Sequence, residues 1–385
     1  MSISFFRTPG VLITGVGSVS QIRTEAQKLG ATKILVITDK IINETGLVKN
    51  VTQHFGDIPF DIIDQVIPEP PFENLEEIAG TIKGKGYDLF VGVGGGSALD
   101  STKVLSIIMT NEGDVRDLVG IEKVQNKGIP FILIPTTSGT GSEVTYNAIF
   151  TDIRDNVKKG IVSPYLLPDV AIVDAEMTVT CPPSVTAASG MDALVHAVES
   201  YTAIRASELT DGIALQAIKL VSRSLRNAVY NGKDIKARED MAMGSLLAGI
   251  SLGNAGVGAV HALAYPLGGK FHVTHGVSNS MLLPFVMKYN VVSNLEKFAE
   301  VAKAMGENVE GLSLREAADC AVQAMAKLSE DVGIPKMKEV KGLTEADIPA
   351  LAEEASKIDR LLNNNPRWLT KREIEQIYRE AYVGE

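Results

Sequence analysis

The chain has 385 residues, of which 45% are hydrophobic and 22% charged, so it is long enough for two globular domains. Its formal net charge of −10 argues against nucleic acid or an anionic membrane as a partner, because both attract basic surfaces. Two cysteines without disulfide or metal-site spacing, and no secretory pattern at the start, lead us to expect a cytoplasmic protein.

The first half alternates short β-branched runs with segments of helical spacing. The apolar runs predict buried strands at 33–38, 87–93, 128–135 and 169–174. Continuous apolar runs separated by helices are typical of strands covered on both faces. We therefore predict a Rossmann-like variant, a dinucleotide-binding α/β domain with a parallel sheet, over residues 1–184. The apolar segment 5–17 is expected to form an exposed β-ribbon.

After CPPSV (181–185) the pattern changes to a 3.6-residue period rich in Ala, Leu, Glu and Lys. This predicts an all-α domain over residues 185–385. The weakly polar run 244–260 is interpreted as a buried helix followed by a glycine turn, not as a membrane segment. Near the end, Thr370 and Glu373 have the spacing of a capping box and predict a helix start.

Glycines stand between a predicted strand and a predicted helix in FVGVGGGSALD (90–100). Gly94, Gly95 and Gly96 lack the Cβ atoms that would keep a ligand from the backbone, and free N–H groups at a helix start favour a phosphate. Ser97 and Asp100 have capping-box spacing. Ser97 also replaces the third glycine of the usual dinucleotide fingerprint, so a plain strand-to-helix turn is the alternative.

Two further features suit a nucleotide. The loop PTTSGTGSEVT (135–145) follows a buried strand and offers the hydroxyls of Thr136, Thr137 and Ser138, at the end of a strand where open α/β sheets bind ligands; a solvated linker is the alternative. Asp39 ends another strand. Its carboxylate can accept a hydrogen bond from a ribose 2′-hydroxyl and would repel a 2′-phosphate, although it precedes the glycine turn instead of following it.

The histidines are unevenly distributed: three of the five lie between 261 and 275. Asp192 and His196 are spaced i, i+4 on a predicted helix, so they face one point. Together with His261 and either His272 or His275 they offer one carboxylate and three imidazoles, which suits Fe²⁺ or Zn²⁺. The residue types alone leave the fourth ligand open, and a set of structural core histidines is the alternative.

Segments 171–199 and 259–284, together with 92–103, 135–145 and 363–370, resemble the iron-containing (group III metal-dependent) alcohol dehydrogenases along essentially the whole chain. The resemblance implies reversible hydride transfer between NAD(H) and a small primary alcohol or aldehyde, with Fe²⁺ as the expected metal and Zn²⁺ as the alternative. By motif position it implies that the metal ligands are Asp192, His196, His261 and His275. It also implies cofactor contacts from Asp39, Gly95, Gly96, Ser97, Asp100, Thr136, Thr137, Thr145 and Lys158.

The resemblance also bears on the substrate side. Asn147 falls where members line the substrate pocket. Tyr265 stands where some members, the lactaldehyde reductases among them, have a further histidine, so Tyr265 and His272 are the candidates for a proton relay. Because the family often forms dimers and larger assemblies, we expect a homodimer or a larger homo-oligomer.

Two other classes of function are considered. A metal- and NAD-dependent lyase of the dehydroquinate synthase type would need basic residues to grip a phosphate-bearing substrate, and no dense Lys/Arg cluster lies beside the candidate ligands in sequence. A non-catalytic nucleotide-binding module would have purely structural histidines.

Overall fold

A computed structural model describes residues 5–154 and 157–384, which divide into two compact units: the first comprises 7–181, and the second comprises 182–384 together with 5–6. The first unit is built around strands. In chain order they are β1 (Val11–Thr14), β2 (Ile34–Asp39), β3 (Phe60–Val66), β4 (Leu89–Gly94), β5 (Gly120–Ile121), β6 (Phe131–Pro135), β7 (Asn147–Asp152), β8 (Val157–Val162) and β9 (Val170–Val173). Its α-helices are α1 (Ile22–Lys28), α2 (Lys40–Glu44), α3 (Leu47–Thr52), α4 (Phe72–Ile82) and α5 (Gly96–Ile108).

Six of these strands form one parallel sheet in the order β1-β9-β6-β4-β2-β3. Successive residues of β2 pack on opposite faces: Leu35 and Ile37 belong to one apolar cluster, Ile34 and Val36 to another, and all four are fully buried. Burial on both faces explains why the central strands read as continuous apolar runs. The prediction of a parallel-sheet α/β domain followed by a helical one is confirmed.

Four strands (β3, β5, β7 and β8) were missed in the sequence analysis, and β1 was predicted in a different arrangement. The N-terminal segment does not form a separate ribbon, because β1 pairs in parallel with β9 and is an edge strand of the main sheet. At the opposite edge, β3 is partly exposed and has no continuous apolar run. β5, β8 and β7 form a small second sheet in that order.

No strand occurs among the described residues of the second unit, and its α-helices are α6 (Pro183–Thr202), α7 (Glu208–Tyr230), α8 (Ile235–Ala255), α9 (Ala259–Phe271), α10 (His275–Asn290), α11 (Leu295–Met305), α12 (Leu314–Asp331), α13 (Ile348–Ala355), α14 (Asp359–Leu362) and α15 (Lys371–Val383). Residues 186–187 and 190–202 of α6 are buried, which places this helix at the centre of the apolar core. The predicted capping box of Thr370 and Glu373 is present at the start of α15.

Run 244–260 forms the buried end of α8 followed by the turn at Gly256, as predicted. Across residues 5–154 and 157–384, no single helix combines the length and apolar composition needed to cross a membrane. One pair, α8 and α9, meets both criteria only when taken together, and it is bent by 103°.

Candidate metal centre and nucleotide-binding turn

Helix α6 supplies two of the predicted ligands. Asp192 and His196 are one helical turn apart and therefore face the same side, with Asp192 Oδ2 3.8 Å from His196 Nε2. Both residues are almost completely buried. Polar side chains at this depth in a helical core need partners, because an uncompensated charge there is costly.

The other two predicted ligands come from neighbouring helices. His261 lies in the first turn of α9, and His275 is the first residue of α10. A Cβ atom on Gly276 would lie 2.6 Å from the carbonyl oxygen of Ala188, so only glycine lets α10 approach α6 this closely. This close approach brings His275 beside Asp192.

The four side chains converge. One donor atom from each of Asp192, His196, His261 and His275 can be chosen so that all lie within 4.8 Å of one another. The Nε2 atoms of His196 and His261 are 3.1 Å apart, and two imidazole lone pairs at this distance repel unless a proton or a cation lies between them. The donors, one oxygen and three nitrogens, fit a divalent first-row cation.

Charge around Asp192 favours its ionised form. Burial alone would raise the pKa of the carboxyl, but the nearby imidazoles of His196, His275 and His261 and a hydrogen bond from Asn279 hold that pKa below its usual value. Asp192 is therefore available as an anionic ligand in a place where little water reaches it.

In the first unit, the glycine turn leaves the start of α5 open. Gly94 has φ +154°, and a Cβ there would lie 2.7 Å from the Cβ of Ala98, so glycine is required. The N-cap residue is Gly95, and no side chain caps the helix. The first-turn N–H groups are therefore free to meet a phosphate.

The capping box predicted for Ser97 and Asp100 is wrong. The Ser97 hydroxyl accepts a hydrogen bond from the N–H of Glu69, 3.1 Å away. The Asp100 carboxylate accepts from the Ser142 hydroxyl and from the N–H of Ile149. Both side chains form hydrogen bonds with residues distant in sequence instead of with each other's backbone. The start of the helix therefore has no side-chain cap.

The hydroxyl-rich loop packs directly on this turn. The Thr136 N–H donates to the carbonyl of Gly94 over 2.9 Å, and a Cβ on Gly96 would lie 2.8 Å from Thr140. The hydroxyls of Thr136 and Ser138 are buried and have no hydrogen-bond partner among the described residues. Buried hydroxyls without partners beside free helix N–H groups are what a phosphate-bearing ligand would satisfy.

Asp39 lies close to the turn although it precedes it by more than fifty residues. Strand β2 pairs with β4, and Asp39 Oδ2 lies 3.6 Å from the position that a Cβ on Gly94 would take. Its Oδ1 accepts from the N–H of Ile42. The residue also lines a groove of 740 Å³, in which its carboxylate and those of Asp64, Glu73 and Glu77 outnumber the single ammonium of Lys40.

Comparison with known proteins decides the family. The family model described as "Iron-containing alcohol dehydrogenase" matches residues 9–175, and "Fe-containing alcohol dehydrogenase family, C-terminal" matches residues 186–382. The chain belongs to the iron-containing alcohol dehydrogenase family. This confirms the resemblance found in the sequence, and the chain is an enzyme of the alcohol dehydrogenase type.

Individual members of the family are similar over their full length. Long-chain-alcohol dehydrogenase 1 of Geobacillus thermodenitrificans (strain NG80-2) is 44% identical over 100% of this chain and 98% of its own. The crystal structure of a 1,3-propanediol oxidoreductase has a TM-score of 0.96 at 41% identity, covering 99% of this chain and 100% of that one. Sulfoacetaldehyde reductase from Bifidobacterium kashiwanohense, solved in complex with NAD⁺, has a TM-score of 0.91 at 27% identity, with both chains covered fully.

In this alcohol dehydrogenase, the other residues predicted to contact the cofactor or the substrate make contacts of different kinds. Lys158 Nζ lies 3.2 Å from the carboxylate of Glu69, the residue that also contacts Ser97. The hydroxyl of Thr145 and the carbonyl of Asn147 both accept hydrogen bonds from Lys103, at 3.2 Å and 2.9 Å. Thr137 makes an ordinary contact with the Cβ position of Gly95.

The two candidates for a proton relay differ in position. The Tyr265 ring centroid is 6.2 Å from that of His275, and burial raises the pKa of its hydroxyl. His272 is exposed and ends α9 in the left-handed conformation, with φ +54°. His272 lies outside the group of converging donors, which includes His275 instead. The relay role of either residue stays a prediction.

Four buried polar residues were missed. Glu199 and Asn279 contact the candidate ligands: Glu199 Oε2 is 2.5 Å from His261 Nδ1, and Asn279 Nδ2 is 2.7 Å from Asp192 Oδ1. Helical spacing could have revealed both, since Glu199 follows His196 by three residues and Asn279 follows His275 by four.

The other two are Lys103 on α5 and Glu143 within the hydroxyl-rich loop 135–145, and both are buried. Burial lowers the pKa of Lys103 and raises that of Glu143 to about 7. The sequence contains one signal for this ion pair: Lys103 follows Asp100 by three residues on α5, a spacing that places the two side chains side by side.

Proposed function

We propose that this enzyme catalyses reversible hydride transfer between NAD(H) and a small primary alcohol or aldehyde, with Fe²⁺ held by Asp192, His196, His261 and His275. The observation that carries the proposal is the convergence of these four side chains, three of them buried, to within 4.8 Å. A bound divalent cation supplies Lewis-acid stabilisation of charge on a substrate oxygen, and NAD supplies the hydride acceptor or, when reduced, the donor.

The residues of the chain define how these groups would be held. Asp192 contributes the one negative charge among the four ligands, and three neutral imidazoles leave the site with a net positive charge toward the substrate oxygen. Because Asp192, His196 and His261 are almost completely buried, few water molecules compete for the cation.

The proposed NAD site uses the open start of α5. Its free N–H groups and the unpartnered hydroxyls of Thr136 and Ser138 suit the diphosphate. The acidic groove beside Asp39 suits the adenosine end and disfavours a 2′-phosphate, so NAD is the proposed cofactor in preference to NADP.

Iron is the proposed metal because the family is the iron-containing one. The substrate class is a primary alcohol or its aldehyde, since the similar enzymes are named for a long-chain alcohol, 1,3-propanediol and sulfoacetaldehyde. We further propose a homo-oligomer, supported by the exposed apolar residues Val11 and Leu12 on the edge strand β1. A cytoplasmic location stays a prediction.

The test is an activity panel on the purified protein. After removal of metal with a chelator, the protein is reloaded anaerobically with Fe²⁺ or Zn²⁺ and assayed with short- and long-chain aldehydes, using NADH and NADPH in parallel. We expect Fe²⁺-dependent oxidation of NADH and little oxidation of NADPH. The matched control, His261→Ala, should be inactive with either metal. Full turnover by metal-free protein, or no turnover with any aldehyde or alcohol, would contradict the proposal.

A further inference from the structure

Glu199 contacts a candidate ligand without belonging to the converging set. It lies on α6, one turn beyond His196, and is 2% exposed. Both of its carboxylate oxygens accept hydrogen bonds from α9. Oε2 is 2.5 Å from His261 Nδ1, and Oε1 accepts from the N–H of Val260 over 2.7 Å.

These contacts determine which nitrogen of His261 can bind a cation. A carboxylate can only accept, so Nδ1 carries the proton and Nε2 keeps its lone pair. That Nε2 faces the other ligands, 3.1 Å from His196 Nε2. We propose that Glu199 is a positioning residue, which fixes the tautomer and ring orientation of His261 for cation binding. This inference rests on the proposed metal-dependent function.

The geometry explains why the residue is a glutamate and not a glutamine. A glutamine has one acceptor, whereas His261 Nδ1–H and the N–H of Val260 need two. If its oxygen stayed on Val260, its NH₂ group would face Nδ1, and His261 would have to carry its proton on Nε2. That tautomer cannot bind a cation through Nε2.

Charge supports the same role. Glu199 adds a second buried carboxylate beside the four ligands, and its negative charge favours binding of a cation that those ligands leave with a net positive charge. Neutralising Glu199 therefore weakens the site electrostatically as well as through the tautomer.

The test compares Glu199→Gln with Ser200→Ala. Ser200 is the next residue on α6 and fully buried, but its hydroxyl contacts Ser251 and not the candidate ligands. Co²⁺ serves as the probe, because its visible absorbance reports its ligand field. Binding is measured anaerobically on the full chain by competition with a chelator, and the rise in melting temperature on Co²⁺ addition is recorded for each protein.

We expect Glu199→Gln to weaken Co²⁺ binding by about 10- to 100-fold, to alter the absorbance spectrum and to reduce the metal-induced rise in melting temperature. Ser200→Ala should bind Co²⁺ like the wild-type protein. Wild-type affinity in Glu199→Gln, or an equal loss in both variants, would overturn the positioning role. If the wild-type protein itself binds no Co²⁺, the proposed metal-dependent function fails together with this inference.

A second measurement does not depend on how Glu199→Gln folds. In wild-type protein labelled with ¹⁵N-histidine, NMR at a pH where imidazoles are neutral should show His261, assigned with His261→Ala, protonated on Nδ1. Protonation on Nε2 would contradict the proposal.

Discussion

Replacing Glu143 with glutamine should make the enzyme more stable at alkaline pH while leaving it unchanged at acidic pH. Glu143 is 2% exposed and lies in the same loop as Thr136 and Ser138. Burial raises the pKa of its carboxyl from 4.5 to about 7, although the neighbouring Lys103 ammonium opposes the shift. The carboxyl is therefore buried in an environment that favours its neutral form.

The sign follows from the direction of this shift. Below the unfolded pKa of 4.5, Glu143 is protonated in both states and costs nothing. Between pH 4.5 and about 7 the unfolded chain releases the proton that the folded state retains, so the free energy of unfolding falls over this range and levels off above it. The difference between pKa values of 4.5 and about 7 corresponds to about 3 kcal/mol.

Thermal unfolding at pH 4 and pH 8 measures this effect. For a unit of this size about 3 kcal/mol corresponds to roughly 6–12 °C, so Glu143→Gln should melt up to that much higher than wild type at pH 8 and nearly equally at pH 4. Glu44→Gln, which alters an exposed glutamate on α2, controls for the change in net charge. Parallel pH profiles of wild type and Glu143→Gln would refute the reasoning.

Four further substitutions test other parts of the structure. Gly94→Ala places a Cβ 2.7 Å from that of Ala98 at φ +154°, so it should destabilise the protein by about 1–3 kcal/mol and weaken NADH binding in a fluorescence titration. Asp39→Gly should reduce the preference for NADH over NADPH, measured as the ratio of kcat/KM values; an unchanged ratio would contradict the assignment. His261→Ala should abolish cation binding in a chelator competition, whereas His272→Ala, at an exposed position, should retain it.

The fold was predictable where its physical signal is local. Strands β2, β4, β6 and β9 are buried on both faces or nearly so and read as apolar runs. The edge strand β3 and the short strand β5 have no such run, because only part of each surface packs against the core. Their pairing depends on distant segments, which periodicity does not report.

In the candidate site, too, local spacing predicts some positions, whereas others depend on distant parts of the chain. The spacing of Asp192 and His196 lies within one helix, so the sequence alone could place both on one face. The choice between His272 and His275 depends on the chain reversal after α9, where His272 takes a left-handed conformation at the helix end. Likewise, Ser97 and Asp100 have capping-box spacing but bind partners far away in sequence.

The most direct test of the account is a crystal structure of the Fe²⁺-loaded enzyme with anomalous diffraction collected at the iron absorption edge. The account predicts one iron peak per chain, at a position where Asp192, His196, His261 and His275 coordinate the ion. The Nδ1–H of His261 should donate a hydrogen bond to Glu199. A peak at any other place, or none after loading with iron, would contradict it.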